Sequence, residues 1–208
     1  MANSYFTVLG EANNTIVIDR SKFICAIKGI EDEDDAKAFI ETVRKRFSLA
    51  NHHCYAYIAD DKGLIQKFSD DSEPQGTAGL PMLDVLKSKK MYKTVAVVTR
   101  FFGGIKLGTG GLTRAYGGSV SECLKTAKIL DMNPAVFCKV EVDYDGYSIL
   151  LKLLANPSVS VLNTDFANTI TVDFALKEQE EKTFADKIIN AFNGKVKMEI
   201  CGKGYHAF

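Results

Sequence analysis

Residues 94–116 restrict the fold more than any other part of the chain. Thr94-Val95-Ala96-Val97-Val98-Thr99 is a nearly uninterrupted β-branched run, the pattern of a strand covered on both faces. Between Arg100 and Gly111 come five glycines, and an apolar-periodic helix is expected from about 112 to 129. A buried strand thus leads into a glycine-rich turn, and that turn leads into a helix. A chain of 208 residues holds one large domain or two small ones. Its 46% hydrophobic and 25% charged residues are ordinary for a globular protein and exclude disorder, collagen-like repeats and a coiled-coil rod.

The remaining elements follow from periodicity. Residues 15–19 and 23–27 carry β-branched and aromatic side chains around the polar corner Arg20-Ser21-Lys22 and read as strands. Ala36, Phe39, Ile40, Val43 and Phe47 recur at three- and four-residue steps, which predicts an amphipathic helix over 34–47. Strands are expected at 53–58 and 64–68 around the turn Asp60-Asp61-Lys62-Gly63, then a loop over 70–79 and a helix with Pro81 in its first turn. Asp131-Met132-Asn133-Pro134 reads as a junction, dividing the chain into 1–133 and 134–208. Beyond it come strand 136–142, helix 147–155, strands 160–164 and 169–174, helix 178–192 and strand 196–200. That β-α-β-β-α-β order is the ferredoxin-like split βαβ, so the fold class is α+β.

The glycine-rich turn is the strongest candidate for chemistry. Glycines let backbone N–H groups turn inward, and the first turn of a helix leaves unpaired donors and a partial positive charge. Arg100, Lys106 and Arg114 bracket that point, and with Gly103, Gly104, Gly108, Gly110 and Gly111 they predict a site for a phosphate or a nucleic-acid backbone. The alternative is that the glycines permit close packing of helix on strand. Neither Gly-x-x-x-x-Gly-Lys-[Ser/Thr] nor Gly-x-Gly-x-x-Gly can be placed here.

Two other segments hold chemically capable side chains. In the 70–79 loop, Asp70, Asp71 and Glu73 could hold a hard cation, supply an acid–base pair, or pair with Arg100 or Arg114 and fix the loop. Consecutive residues make a poor cage, so anchoring of the loop beside a binding surface is expected, and no metal or other cofactor. In Asn51-His52-His53-Cys54-Tyr55-Ala56-Tyr57, a strand puts His52 and Cys54 on one side and His53, Tyr55 and Tyr57 on the other. Adjacent residues there cannot converge on one ion, and a polar strand entry is the expected role.

Charge and cysteine usage narrow the partners and the compartment. Lys plus Arg and Asp plus Glu number 26 each, so the net charge is zero and any anion binding must come from a local patch. The five scattered cysteines form no Cys-x-x-Cys and read as free thiols. No apolar run approaches the roughly 18 to 20 residues of a membrane span. Met1-Ala2-Asn3-Ser4-Tyr5-Phe6 lacks the features of a secretion signal, so a cytoplasmic location without membrane association is expected.

Arg20-Ser21-Lys22-Phe23, His53-Cys54-Tyr55-Ala56-Tyr57, the stretch from Asp71 to Gly79 and that from Thr99 to Tyr116 together resemble the IMPACT family, in its bacterial YigZ-like two-domain form. With the C-terminal half the resemblance covers nearly the whole chain, Gln75 standing where Ser is more familiar. It implies an N-terminal domain with the fold of ribosomal protein S5 domain 2. It also implies a ferredoxin-like C-terminal domain similar to the last domain of the translocating elongation factor. Eukaryotic relatives regulate translation by competing for an activator of the starvation-sensing initiation-factor kinase. They lack the second domain, so that partner does not carry over.

The expected function is a non-enzymatic RNA- or ribosome-binding protein in the regulation of translation. Arg20, Lys22, Arg100, Lys106 and Arg114 would meet phosphates, while Tyr55, Tyr57, Phe101 and Phe102 are the candidates for stacking on bases. Two readings stand beside it. One is an enzyme acting on a phosphorylated small molecule or nucleotide with Asp71 or Glu73 as base, and the other is a protein-partner module.

Overall fold

The computed structural model describes residues 4–208, and the chain forms two units, Tyr5–Leu130 and Asp131–Phe208. A short strand, β1 (Tyr5–Val8), is tied by Phe6, whose N–H donates to the Lys90 carbonyl and whose carbonyl accepts from Tyr92, each at 2.9 Å. The hairpin β2 (Glu11–Ile18) and β3 (Ser21–Gly29) turns through Asp19 and Arg20, both in the left-handed region at φ 45° and 64°. Such a primed turn matches the twist of the strands it joins.

Asp32 then caps α1 (Glu33–Arg46), its side chain accepting from the Asp34 and Asp35 amides at 3.0 and 2.9 Å. Next come β4 (His52–Ile58), β5 (Gln66–Ser69), α2 (Gly79–Ser88), β6 (Thr94–Phe101) and α3 (Gly108–Thr126). All neighbours in the sheet β2-β3-β6-β4-β5 are antiparallel.

The β-branched run becomes the central strand. Ala96 and Val98 pack with Met82, Leu86, Leu112 and Tyr116 of α2 and α3, while Val95 and Val97 pack with Ala36, Phe39, Ile40 and Val43 of α1. Helices on both faces explain why β6 has no polar alternation. Helix α3 starts at Gly108, four residues before the expected point, because Gly110 and Gly111 join the helix despite the low helix propensity of glycine.

The second unit runs β7 (Ile129–Val142), α4 (Tyr144–Leu154), β8 (Val159–Phe166), β9 (Ile170–Lys177), a 3-10 turn (Glu178–Glu180), α5 (Glu181–Ala191) and β10 (Glu199–Ala207). Its antiparallel order β10-β7-β9-β8 is ferredoxin-like. Val136, Cys138, Val140 and Val142 meet Leu150, Leu154, Phe184 and Ile188 in its core. Asp131 to Pro134 lie inside β7, and Pro134 stands opposite Tyr205. The last strand overlaps only the end of its expected place at 196–200 and continues through a segment whose Gly202 and Gly204 argue against a strand. The Phe137 ring lies against Gly204 and supplies the packing that the glycine lacks.

Candidate functional site

The loop between β5 and α2 is organised by its first carboxylate. Asp70 accepts from the amides of Gly76, Ala78 and Gly79 at 2.8, 3.0 and 2.8 Å. It therefore caps the start of α2 from nine residues away, where Ala78 offers no side-chain cap. Asp71 accepts the His53 amide at 2.6 Å, and its own carbonyl meets His52 Nδ1 at 2.9 Å. A carbonyl only accepts, so Nδ1 carries the proton. Asp71 and Ser72 both take left-handed conformations, φ 42° and 70°, and these two steps swing Glu73 inward.

Inside, Glu73 meets the end of the central strand. Arg100 Nη1 donates to Glu73 Oε1 at 2.7 Å, and Tyr116 Oη of α3 donates to the same oxygen at 2.7 Å. The Arg100 and Glu73 side chains are 6% and 4% exposed, which makes this a buried ion pair. His52 Nε2 stands 3.8 Å from that oxygen. The guanidinium lies 5.4 Å from the ring centres of both Phe23 and Phe102, and Phe23 packs edge-on to Tyr116. Arg100 Nε is buried with no hydrogen-bond partner among the described residues. Burial pushes both the Cys54 thiol and the Tyr116 hydroxyl well above their usual ranges.

Of these groups Glu73, Arg100 and Phe102 wall a groove of about 380 Å³, lined also by Lys106, Thr109 and Leu112 among others. The groove ends at the start of α3, where no side chain among the described residues caps the first turn. Two glycines shape the approach through left-handed backbone, Gly104 at φ 86° and Gly108 at φ 68°. A larger hollow of about 560 Å³, floored by Phe6, Met91, Leu124 and Ile129, contains no buried ion pair among the described residues.

The structure sorts the predicted residues. Glu73, Arg100, Lys106 and Gly108 line the groove, with Phe102 as an aromatic wall. Gly103 plays a different part from the expected one. Its amide is already bound to Ser21 Oγ at 3.1 Å, and a Cβ there would collide with the Arg20 carbonyl. It is a packing glycine, and its N–H is not open to an anion. Gly110 faces open space, and Gly111 has only the Leu107 Cβ nearby. Arg20, Lys22, Lys106 and Arg114 are exposed with no ion-pair partner among the described residues, but Arg114 does not line the groove.

The stacking candidates need correction. Tyr57 is buried, packs among the α1 residues and donates to Glu33 at 2.8 Å. Tyr55 stacks on it at 6.2 Å, so both lie on the sheet face opposite the groove. Phe101 follows Arg100 on β6, and strand alternation turns it to that same face. The three loop carboxylates diverge onto separate partners, and among the described residues no cluster of His, Cys, Asp or Glu is placed to hold a metal.

Ser21, Thr109 and Tyr116 carry no site signal in the sequence, and Asn51 and His52 read there only as a polar strand entry. Asn51 carries a usable signal, a polar residue opening a strand, and its Oδ1 accepts the Phe102 amide at 2.8 Å. Tyr116 reads as a core aromatic on a helix, and only the fold reveals that its hydroxyl reaches Glu73.

Comparison with known proteins places this geometry. A family profile described as the Impact N-terminal domain matches residues 19–124, which contain the loop, the ion pair and the groove. A second profile, for a domain of unknown function designated DUF1949, matches residues 140–195. The chain is 38% identical over 195 residues to the IMPACT family member YvyE of Bacillus subtilis (strain 168), covering 94% of this chain and 90% of that one. It is 34% identical over 184 residues to the IMPACT family member YigZ of Escherichia coli (strain K12), covering 87% and 90%. A crystal structure described as that of a hypothetical protein matches with a TM-score of 0.62 at 31% identity, covering 97% of this chain and 99% of that one. With a matching N-terminal domain and relatives matched along almost their full length, the chain belongs to the IMPACT family.

Proposed function

We propose that this IMPACT-family protein is a non-enzymatic, cytoplasmic RNA-binding protein acting on translation, and that the groove of its N-terminal unit grips a backbone phosphate. The observation that carries this reading is Arg100. It is a cation more than nine-tenths buried whose Nη1 is held by Glu73, while Nε has no acceptor among the described residues, and the residue lines an open groove. A buried donor without a partner costs free energy, and the guanidinium that carries it belongs to a residue lining the groove an anion would enter.

Lys106 and the uncapped start of α3 add positive potential at the same place, and Phe102, 46% exposed, offers a ring beside it. A binder also accords with the chemistry of the neighbours, since Cys54 and Tyr116 are both driven toward their neutral forms and neither is an activated nucleophile.

Fluorescence anisotropy of the full chain with short single-stranded and structured RNAs, titrated at several salt concentrations, tests the proposal. Lys106→Ala is expected to weaken binding across sequences and to flatten the salt slope by about 0.7 on single strands. Lys187→Ala, on the exposed side of α5, serves as the control. No binding at low salt, or binding indifferent to Lys106→Ala, overturns the reading.

A further inference from the structure

We infer that the groove selects RNA over DNA, with Glu73 Oε2 accepting a hydrogen bond from a ribose 2′-hydroxyl; this rests on the reading of the groove as a backbone-phosphate site. The two oxygens of Glu73 are in different situations. Oε1 takes both Arg100 Nη1 and Tyr116 Oη, while Oε2 receives no donor from the described residues. An ionised carboxylate has about four acceptor positions, so half of this buried group is left for something that is not protein. His52 cannot fill the gap. Its Nδ1 proton is committed to the Asp71 carbonyl, and its Nε2 lies 3.8 Å from the oxygen already occupied.

The groove therefore presents unlike wants on one wall. Arg100 and Lys106 call for an acceptor, and Glu73 beside them calls for a donor. Inorganic phosphate or a DNA backbone answers the cations and meets the carboxylate as a like charge or an empty contact. A ribonucleotide answers both, because it carries a phosphate acceptor and a 2′-hydroxyl donor on one sugar, and that hydroxyl is the group by which proteins tell RNA from DNA. A volume of about 380 Å³ is within the range of small-ligand sites. In the free protein solvent can bond Oε2, and the 2′-hydroxyl takes that place on binding.

The test uses the unaltered full chain and three labelled oligonucleotides of one sequence: RNA, 2′-fluoro RNA and DNA. The 2′-fluoro sugar keeps the RNA-like pucker but cannot donate. RNA is expected to bind about tenfold more tightly than either of the others, equal to about 1.4 kcal/mol, with similar salt slopes for all three. Equal, Lys106-dependent binding of RNA and DNA overturns the role of Glu73 and leaves the phosphate reading standing. Equal binding of RNA and 2′-fluoro RNA with weaker DNA assigns selectivity to pucker and also overturns it. Failure of all three to bind removes the phosphate reading itself.

Discussion

Replacing Glu73 by alanine isolates the energetics on which the site depends. The substitution removes the partner of a guanidinium that is 6% exposed and strands the Tyr116 hydroxyl, whose acceptor lies 2.7 Å away. Removing one member of a buried pair costs about 3–5 kcal/mol, because the remaining charge stays desolvated. Loss of the Tyr116 bond overlaps with that cost and does not add fully to it. A value of about 4 kcal/mol corresponds to roughly three decades in the opening equilibrium at about 1.4 kcal/mol per decade.

Hydrogen exchange of the full chain, read on peptides covering β6, measures that opening without assuming that two units unfold as one. Exchange there is expected to accelerate about a thousandfold in Glu73→Ala. In Tyr116→Phe, which deletes one neutral donor at a cost of about 1 kcal/mol, it should rise only several-fold. The paired change Glu73→Leu with Arg100→Met should recover most of the loss, since an apolar pair of similar size carries no desolvation penalty. Acceleration below tenfold in Glu73→Ala would refute the assignment of this pair as an energetic centre.

Three further outcomes are expected. Gly103→Ala forces a methyl into the Arg20 carbonyl, so it should destabilise the N-terminal unit by about 2–3 kcal/mol and lower its melting temperature; an unchanged melting profile would contradict the close approach. In the native chain only Cys201 should react quickly with a maleimide, because Cys25, Cys54, Cys123 and Cys138 are buried and the Cys138 thiol is pushed up to about 11 by burial; mass spectrometry of labelled peptides checks this. Burial holds the His53 imidazole below its usual range, against the opposing pull of Asp71. The neutral form is thus favoured on folding, so stability should be level above pH about 6.5 and fall as pH drops from there toward the lower folded value. An NMR titration of His53 with a midpoint at or above about 6.5 would refute this.

Much of the architecture was legible because burial leaves a period in the sequence. The unbroken β-branched run of β6 announced coverage on both faces, and the spacing of Ala36, Phe39, Ile40 and Val43 announced α1. What stayed hidden depends on contacts distant in sequence. The extension of α3 back to Gly108 and the strand through Gly202 and Gly204 both run against local propensity and are stabilised by packing. The site divides in the same way. Arg100 and Lys106 stood out as charges beside a glycine-rich turn and Glu73 as one of three carboxylates in the 70–79 loop, but that Arg100 and Glu73 share one buried bond is tertiary information. Strand alternation was enough to put Tyr55 and Tyr57 on the opposite side from His52 and Cys54, but which side faces the groove depends on where the helices pack.

The manner in which Asp70 gathers the Gly76, Ala78 and Gly79 amides has a consequence for how this segment can vary. Fastened at both ends, the loop works as a ruler, with Glu73 at a fixed mark. One inserted or deleted residue would displace that carboxylate by up to about 3.5 Å, more than any hydrogen bond tolerates. Diversity between Asp70 and Gly79 should therefore arise by exchange of side chains at constant length, as at exposed Gln75, and scarcely ever by change in the number of residues.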